Sequence, residues 1–106
     1  MEITLTEMKP EDEISIRTKT NEYRFLVIDP RLCRGILKGG LLGQQPHDAY
    51  LAGAIYPHEG VISDSKKLET GARALFYMYG KHGLDRLTTS VITALTCRSN
   101  GSGASM

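Results

Sequence analysis

The chain has 106 residues, 41% of them hydrophobic and 24% charged, with thirteen basic against twelve acidic side chains and a formal net charge of +1. That length suits one domain, which should bury about 65% of its unfolded surface and needs neither metal nor disulfide to hold a core. The charge balance excludes a strong global field toward nucleic acid or an acidic membrane, so any anion must be held by a local patch.

Ile3, Leu5 and Met8 are compatible with a short strand or a single helical turn, ended by Pro10, which cannot continue a helix. From Glu13 to Pro30 the pattern predicts a β-hairpin. Ile14, Ile16 and Thr18 alternate with Ser15, Arg17 and Lys19, Thr20-Asn21 supplies the turn, and Tyr23, Phe25 and Val27 alternate with Arg24, Leu26 and Ile28. Gly35–Lys38 reads as a third strand closed by Gly39-Gly40, a pair that marks positive φ or a close backbone approach. Residues 41–48 read as an irregular loop, Ala49–Tyr56 as a fourth strand bulged at Gly53, and Val61-Ile62 as a brief apolar island before a polar loop.

Residues 66–79 carry two patterns. Leu68, Ala72, Leu75, Phe76 and Tyr79 fall at helical spacing, whereas Gly71 and the run Leu75-Phe76-Tyr77-Met78-Tyr79 favour a strand from Ala72 to Tyr79, the preferred reading. Gly80-Lys81-His82-Gly83 then serves as a hairpin loop, a return strand starts near Asp85, and the β-branched stretch Thr88–Thr96 gives the last strand. Residues 98–106 have the composition of a flexible tail. The predicted fold is all-β: one domain over residues 1–97, a small barrel or strongly curved antiparallel sheet of about six strands, with 66–79 the place for a single helix if there is one.

Several strands are apolar on both faces, Leu26 and Ile28 opposing Phe25 and Val27, and Leu51 and Ile55 opposing Tyr50 and Tyr56. A small barrel has one interior, so the second set needs a cover, and a homo-oligomer is the expectation that follows. Cys33 and Cys97 lie 64 residues apart with no zinc-type spacing, which reads as two reduced thiols rather than a disulfide. Residues 1–7 lack the basic and apolar regions of a signal peptide, and no run reaches the ~18 apolar residues of a membrane helix. The expected location is the cytoplasm, away from any membrane.

The segments Met8–Ile14, Arg17–Tyr23, Gly35–Gly40 and Thr88–Val91 together resemble small bacterial β-rich, barrel-like proteins of unassigned function, over about residues 5–95. In these a charged lead-in precedes a "T-x-x-S-x-Y" hairpin, a "GG" pair and a terminal "TS-x-V". The chain departs with Asn21-Glu22 in place of the commoner Asn-Ser, and with Glu11 where a turn glycine is expected. The resemblance implies an all-β fold and no activity, cofactor or catalytic residue.

Three chemistries compete with ordinary turn and surface roles. Arg17, Lys19 and Arg24 should share the outer face of the hairpin and, with Arg34, would form a patch for nucleic acid or another polyanion, Tyr23 stacking on a base if it lies at the rim. His47, His58 and Glu59, with Asp48 and Asp64, would bring imidazoles and carboxylates to one rim, a set suited to a divalent metal or to an active site at a subunit interface. Cys33 between Arg31 and Arg34 would be nucleophilic if its pKa were lowered. The glycine pairs lack the P-loop pattern, and no serine sits in a G-x-S-x-G elbow. No cofactor is expected. The reading that follows is a non-catalytic binding or assembly module that self-associates through apolar strand faces, with polyanion binding and an interfacial enzyme as alternatives.

Overall fold

A computed structural model describes residues 1–60, 62–80 and 83–99 of the chain. Val61 of the expected apolar island, Lys81 and His82 of the expected hairpin loop, and the expected tail from Asn100 onward lie outside the described residues.

The molecule is all-β, with ten strands among the described residues. They are β1 (Glu2–Thr4), β2 (Glu13–Thr18), β3 (Glu22–Asp29), β4 (Arg34–Gly39), β5 (His47–Ile55), β6 (Ile62–Ser63), β7 (Lys67–Glu69), β8 (Arg73–Gly80), β9 (Gly83–Thr88) and β10 (Ile92–Arg98). The hairpin of β2 and β3 forms as its alternation requires. Ile14 lies opposite Phe25 and Ile16 opposite Tyr23, all four buried, while Ser15, Arg17, Glu22 and Arg24 line the other face. Thr18 ties the turn: its N–H donates to the Asn21 carbonyl at 2.8 Å, and its hydroxyl accepts the Asn21 N–H at 2.9 Å.

The main sheet is antiparallel in the order β10-β2-β3-β4-β5-β8-β9, with β6 added beside β5; β1 and β7 form a separate ribbon. The ribbon joins the rest of the fold where the Leu5 N–H donates to the Lys66 carbonyl, at the start of a 3-10 turn over Leu5–Glu7. Strand and turn thus both occur in the segment before Pro10. Strong curvature of the sheet gathers one core, in which Phe25 and Phe76 meet with ring centroids 5.4 Å apart, surrounded by Leu5, Ile14, Ile16, Leu37 and Ile92. The register shift between Leu51 and Gly53 is the bulge anticipated on β5, and it lets Gly53 and Ala54 both face buried surroundings.

The sheet is not a closed barrel. β9 and β10 are its two edges, and they approach closure only at one corner, where the Ile92 N–H donates to the Ala72 carbonyl and the Ile92 carbonyl accepts the Gly71 N–H. The expected count of about six strands is too low because β1, β6 and β7 span two or three residues each, too few for alternation to show in a sequence. The helical alternative for 66–79 fails at Gly71, whose φ of +92° is a turn conformation between β7 and β8. The return strand expected from near Asp85 is β9, and the last strand, expected over Thr88–Thr96, is β10, which starts only at Ile92 because the chain turns a corner at Thr89–Val91.

Candidate functional site on the outer face of the sheet

Every inward position of β2, β3 and β4 is taken by the core, so recognition chemistry must sit on the convex face. Cross-strand register sets that face out in rows. One row runs Glu13, Leu26, Ile36, Asp48; the next toward the hairpin turn holds Ser15, Arg24 and Lys38; a third holds Arg34, Tyr50, Tyr77 and Arg86.

The four cations expected to form one polyanion patch are divided by their neighbours. Arg17 bridges Glu22, the residue opposite it, at 3.4 Å, and both side chains are exposed. Arg34 grips Asp48 through two bonds, Nε to Oδ1 at 3.0 Å and Nη2 to Oδ2 at 3.2 Å, a fork that holds its pKa above the ordinary value chiefly through the hydrogen bond. Lys19 lies beyond the end of β2, its N–H bonded to the Val91 carbonyl. Arg24 alone of the four faces a groove without an ion pair, and Lys38, directly opposite it on β4, is also unpaired among the described residues. Tyr23 is no stacking platform, since it is fully buried against the Gly40 backbone and accepts the Leu41 N–H on its hydroxyl. Gly40 has a φ of +51°, and any Cβ there would strike the Tyr23 ring, so the double glycine serves positive φ and close approach together.

The groove past Arg24 and Lys38 has a volume of about 290 Å³ and is bounded by Glu22, Gly39 and Gln44. It continues onto an apolar shelf of Leu26, Ile36 and Pro46, with Glu13 at the far side. Lys38 and Gln44 were not among the expected polyanion residues. The sequence signal that finds Lys38 is its position in a strand one turn away from the hairpin, which becomes a partner of Arg24 only once the β3–β4 register is known.

The metal-type residues are not gathered. His47 opens β5 opposite Leu37, whereas His58 and Glu59 lie in an exposed turn beyond its far end, about 26 Å away along a strand of this length. Asp48 is held by Arg34, Asp64 is exposed in the segment after β6, and no group of three metal-type side chains occurs among the described residues. Both cysteines are free thiols, Cys33 buried and Cys97 exposed. Burial pushes the Cys33 thiol up, with Lys66 only partly opposing, so its flanking arginines do not activate it.

A second feature of the convex face lies at the β8–β9 hairpin. Tyr79 and Leu84, opposite one another, are 64% and 60% exposed, and Tyr79 meets Tyr50 edge-on with centroids 6.4 Å apart. Tyr77, half-buried, lies opposite Tyr50, and Arg86 and Arg34 flank this pair on β9 and β4. Nothing in the sequence distinguishes these tyrosines from core residues, because alternation does not say which face is inward.

The fold and this face together define a small all-β domain with an open, curled antiparallel sheet whose convex face leaves Tyr79 and Leu84 exposed. Scans against protein-family models, curated proteins and solved structures each gave no match. No helix among the described residues is long and apolar enough to cross a membrane.

Proposed function

We propose that the chain is a non-catalytic binding and assembly module that pairs with a second copy of itself through the aromatic end of its convex face. The observation that carries this reading is the continuous set Tyr50, Tyr77, Tyr79 and Leu84, of which Tyr79 and Leu84 are exposed and Tyr50 and Tyr77 half-buried. Tyrosines ringed by arginines are the composition of interface centres, where each ring buries a large area at small entropic cost. A two-fold contact also needs a patch that tolerates its own copy, and this rim carries both signs, Arg34 and Arg86 with Asp48. The net charge of +1 adds little repulsion between copies.

Edge-to-edge pairing through β9 is the less favourable route. Two-fold antiparallel pairing of identical strands brings one residue opposite itself, and the centre of β9 is Asp85-Arg86, so either central register opposes like charges. The candidate nucleophile supports a binding role rather than a reaction, since Cys33 is buried and its thiol is pushed up by that burial.

Light scattering coupled to size exclusion at low and high salt tests the proposal. A dimer mass that resists salt is the expected result. A stable monomer at micromolar concentration overturns it.

A further inference from the structure

We infer that the Arg24–Lys38 groove binds an extended acidic peptide segment of a partner protein, reading a carboxylate and an apolar side chain spaced two residues apart. This site is distinct from the tyrosine surface: Arg24 on β3 and Leu84 on β9 are four strands apart, about 19 Å along the sheet, with the Arg34–Asp48 bridge between.

The first ground is charge. Arg24 and Lys38 stand directly opposite each other, and like charges in that position oppose strand pairing. Of the acids at the groove's margins, Glu22 bridges Arg17, and Glu13 stands in the next row, opposite Arg98 on β10, and forms no ion pair with Arg24 or Lys38. Two cations are therefore left facing one groove, with the side chain of Gln44 on its wall as a further donor. A carboxylate placed between them removes the repulsion and accepts charge-assisted hydrogen bonds from both.

The second ground is spacing. Leu26 and Ile36 lie two residues along β3 and β4 from Arg24 and Lys38, on the same face, and Pro46 walls the shelf they form. That step is about 7 Å, the distance between same-side residues i and i+2 of an extended chain. A segment lying along the groove with an acidic residue over Arg24 and Lys38 thus sets its next same-side residue on an apolar surface.

A nucleic acid suits the groove less well. Successive phosphates would meet Glu22 at one end and Glu13 at the other, and Tyr23 is buried rather than available for stacking.

The test uses the whole chain, isotope-labelled, and capped peptides of sequence Ser-Glu-Ser-Leu-Ser, the Glu-to-Gln version, and Ser-Glu-Leu-Ser-Ser. The expected result is saturable amide shifts centred on Arg24, Lys38 and Gln44 for the first peptide, with the other two at least fivefold weaker. Arg24→Gln and Lys38→Gln should each weaken binding about five- to tenfold while leaving the melting temperature unchanged or higher, since each removes a like-charge contact. Equal binding of the Gln peptide, shifts confined to the Tyr79 surface, or no saturable shift at millimolar peptide overturns the inference. Tighter binding of single-stranded RNA through the same two residues overturns it in favour of a polyanion. The solution mass is read separately, so failure of self-association and failure of this site are distinguishable.

Discussion

At Glu11 the backbone turns through a φ of +75°, a conformation in which a side chain's Cβ crowds the following carbonyl. Pro10 precedes it, and the Asp12 N–H donates to the Lys9 carbonyl at 3.1 Å, so the four residues form a type II turn whose third position favours glycine. The turn is held from within by the Asp12 carboxylate accepting the Lys9 N–H, and from outside by the Glu11 N–H donating to the Val27 carbonyl. Glu11→Gly should therefore stabilise the fold, by about 0.5–1 kcal/mol in urea denaturation, the relieved strain exceeding the entropy glycine adds to the unfolded chain; a loss of stability would contradict this account. Cys33 supplies a pH dependence. Its thiol is pushed above the ordinary value of 9.0 chiefly by burial, so the folded chain keeps a proton that the unfolded chain releases. Stability is thus full below pH 9 and falls as the pH rises through and beyond it. Thermal melts from pH 8 to 10 should show that decline, and Cys33→Ala should make it shallower; an identical slope in the variant would assign the effect elsewhere, to Cys97 or Tyr56, whose values are also raised. The turn at Glu11 follows the local signal of the preceding Pro10, while the fate of Cys33 was not legible in the sequence, because burial depends on residues distant in the chain.

Among the elements, the corner between β9 and β10 carries the largest divergence from the sequence pattern. A β-branched run from Thr88 to Thr96 has the propensity of one long strand, yet the chain breaks at Thr89–Val91 to bring Ile92 beside Ala72. Thr89 makes that break possible. Its N–H donates to the Ala74 carbonyl, its hydroxyl accepts the Ala74 N–H at 3.0 Å, and the same hydroxyl donates to the Ser90 carbonyl at 2.8 Å. Thr89 is fully buried, so no water replaces a lost partner. Thr89→Val keeps the shape and strands the Ala74 N–H, and should cost about 1–3 kcal/mol, read as a lower urea midpoint with an unchanged slope. A cost within about 0.5 kcal/mol, the range expected of a surface change, would show that the hydroxyl does not hold the corner. The hairpin of β2 and β3 behaved differently because its two strands are adjacent in sequence, so local alternation and turn chemistry set the same register.

For the molecule as a whole, the decisive property is that the curled sheet has one inside and one outside, and the two are unequal in cover. Tyr79→Ser and Leu84→Ser remove apolar area from the outside only, so they should shift a dimer to monomer while leaving the monomer's denaturation midpoint nearly unchanged. A dimer that survives both changes would place its interface elsewhere. The chain's own pattern determined that it is all-β, where its main hairpin lies, that Gly39-Gly40 takes positive φ, that β5 is bulged at Gly53, and that some strands are apolar on both faces. These are properties of neighbours in sequence, where a period of two and a glycine's freedom act directly. Only tertiary structure decided that Arg17 and Arg34 are paired while Arg24 faces Lys38, that His47 and His58 stand at opposite ends of β5, that Tyr23 points inward and Tyr79 outward, and that the sheet stays open. Each of these depends on which strands lie side by side and in what register, and register between strands distant in the chain is set by the shared core, whose composition no single segment carries.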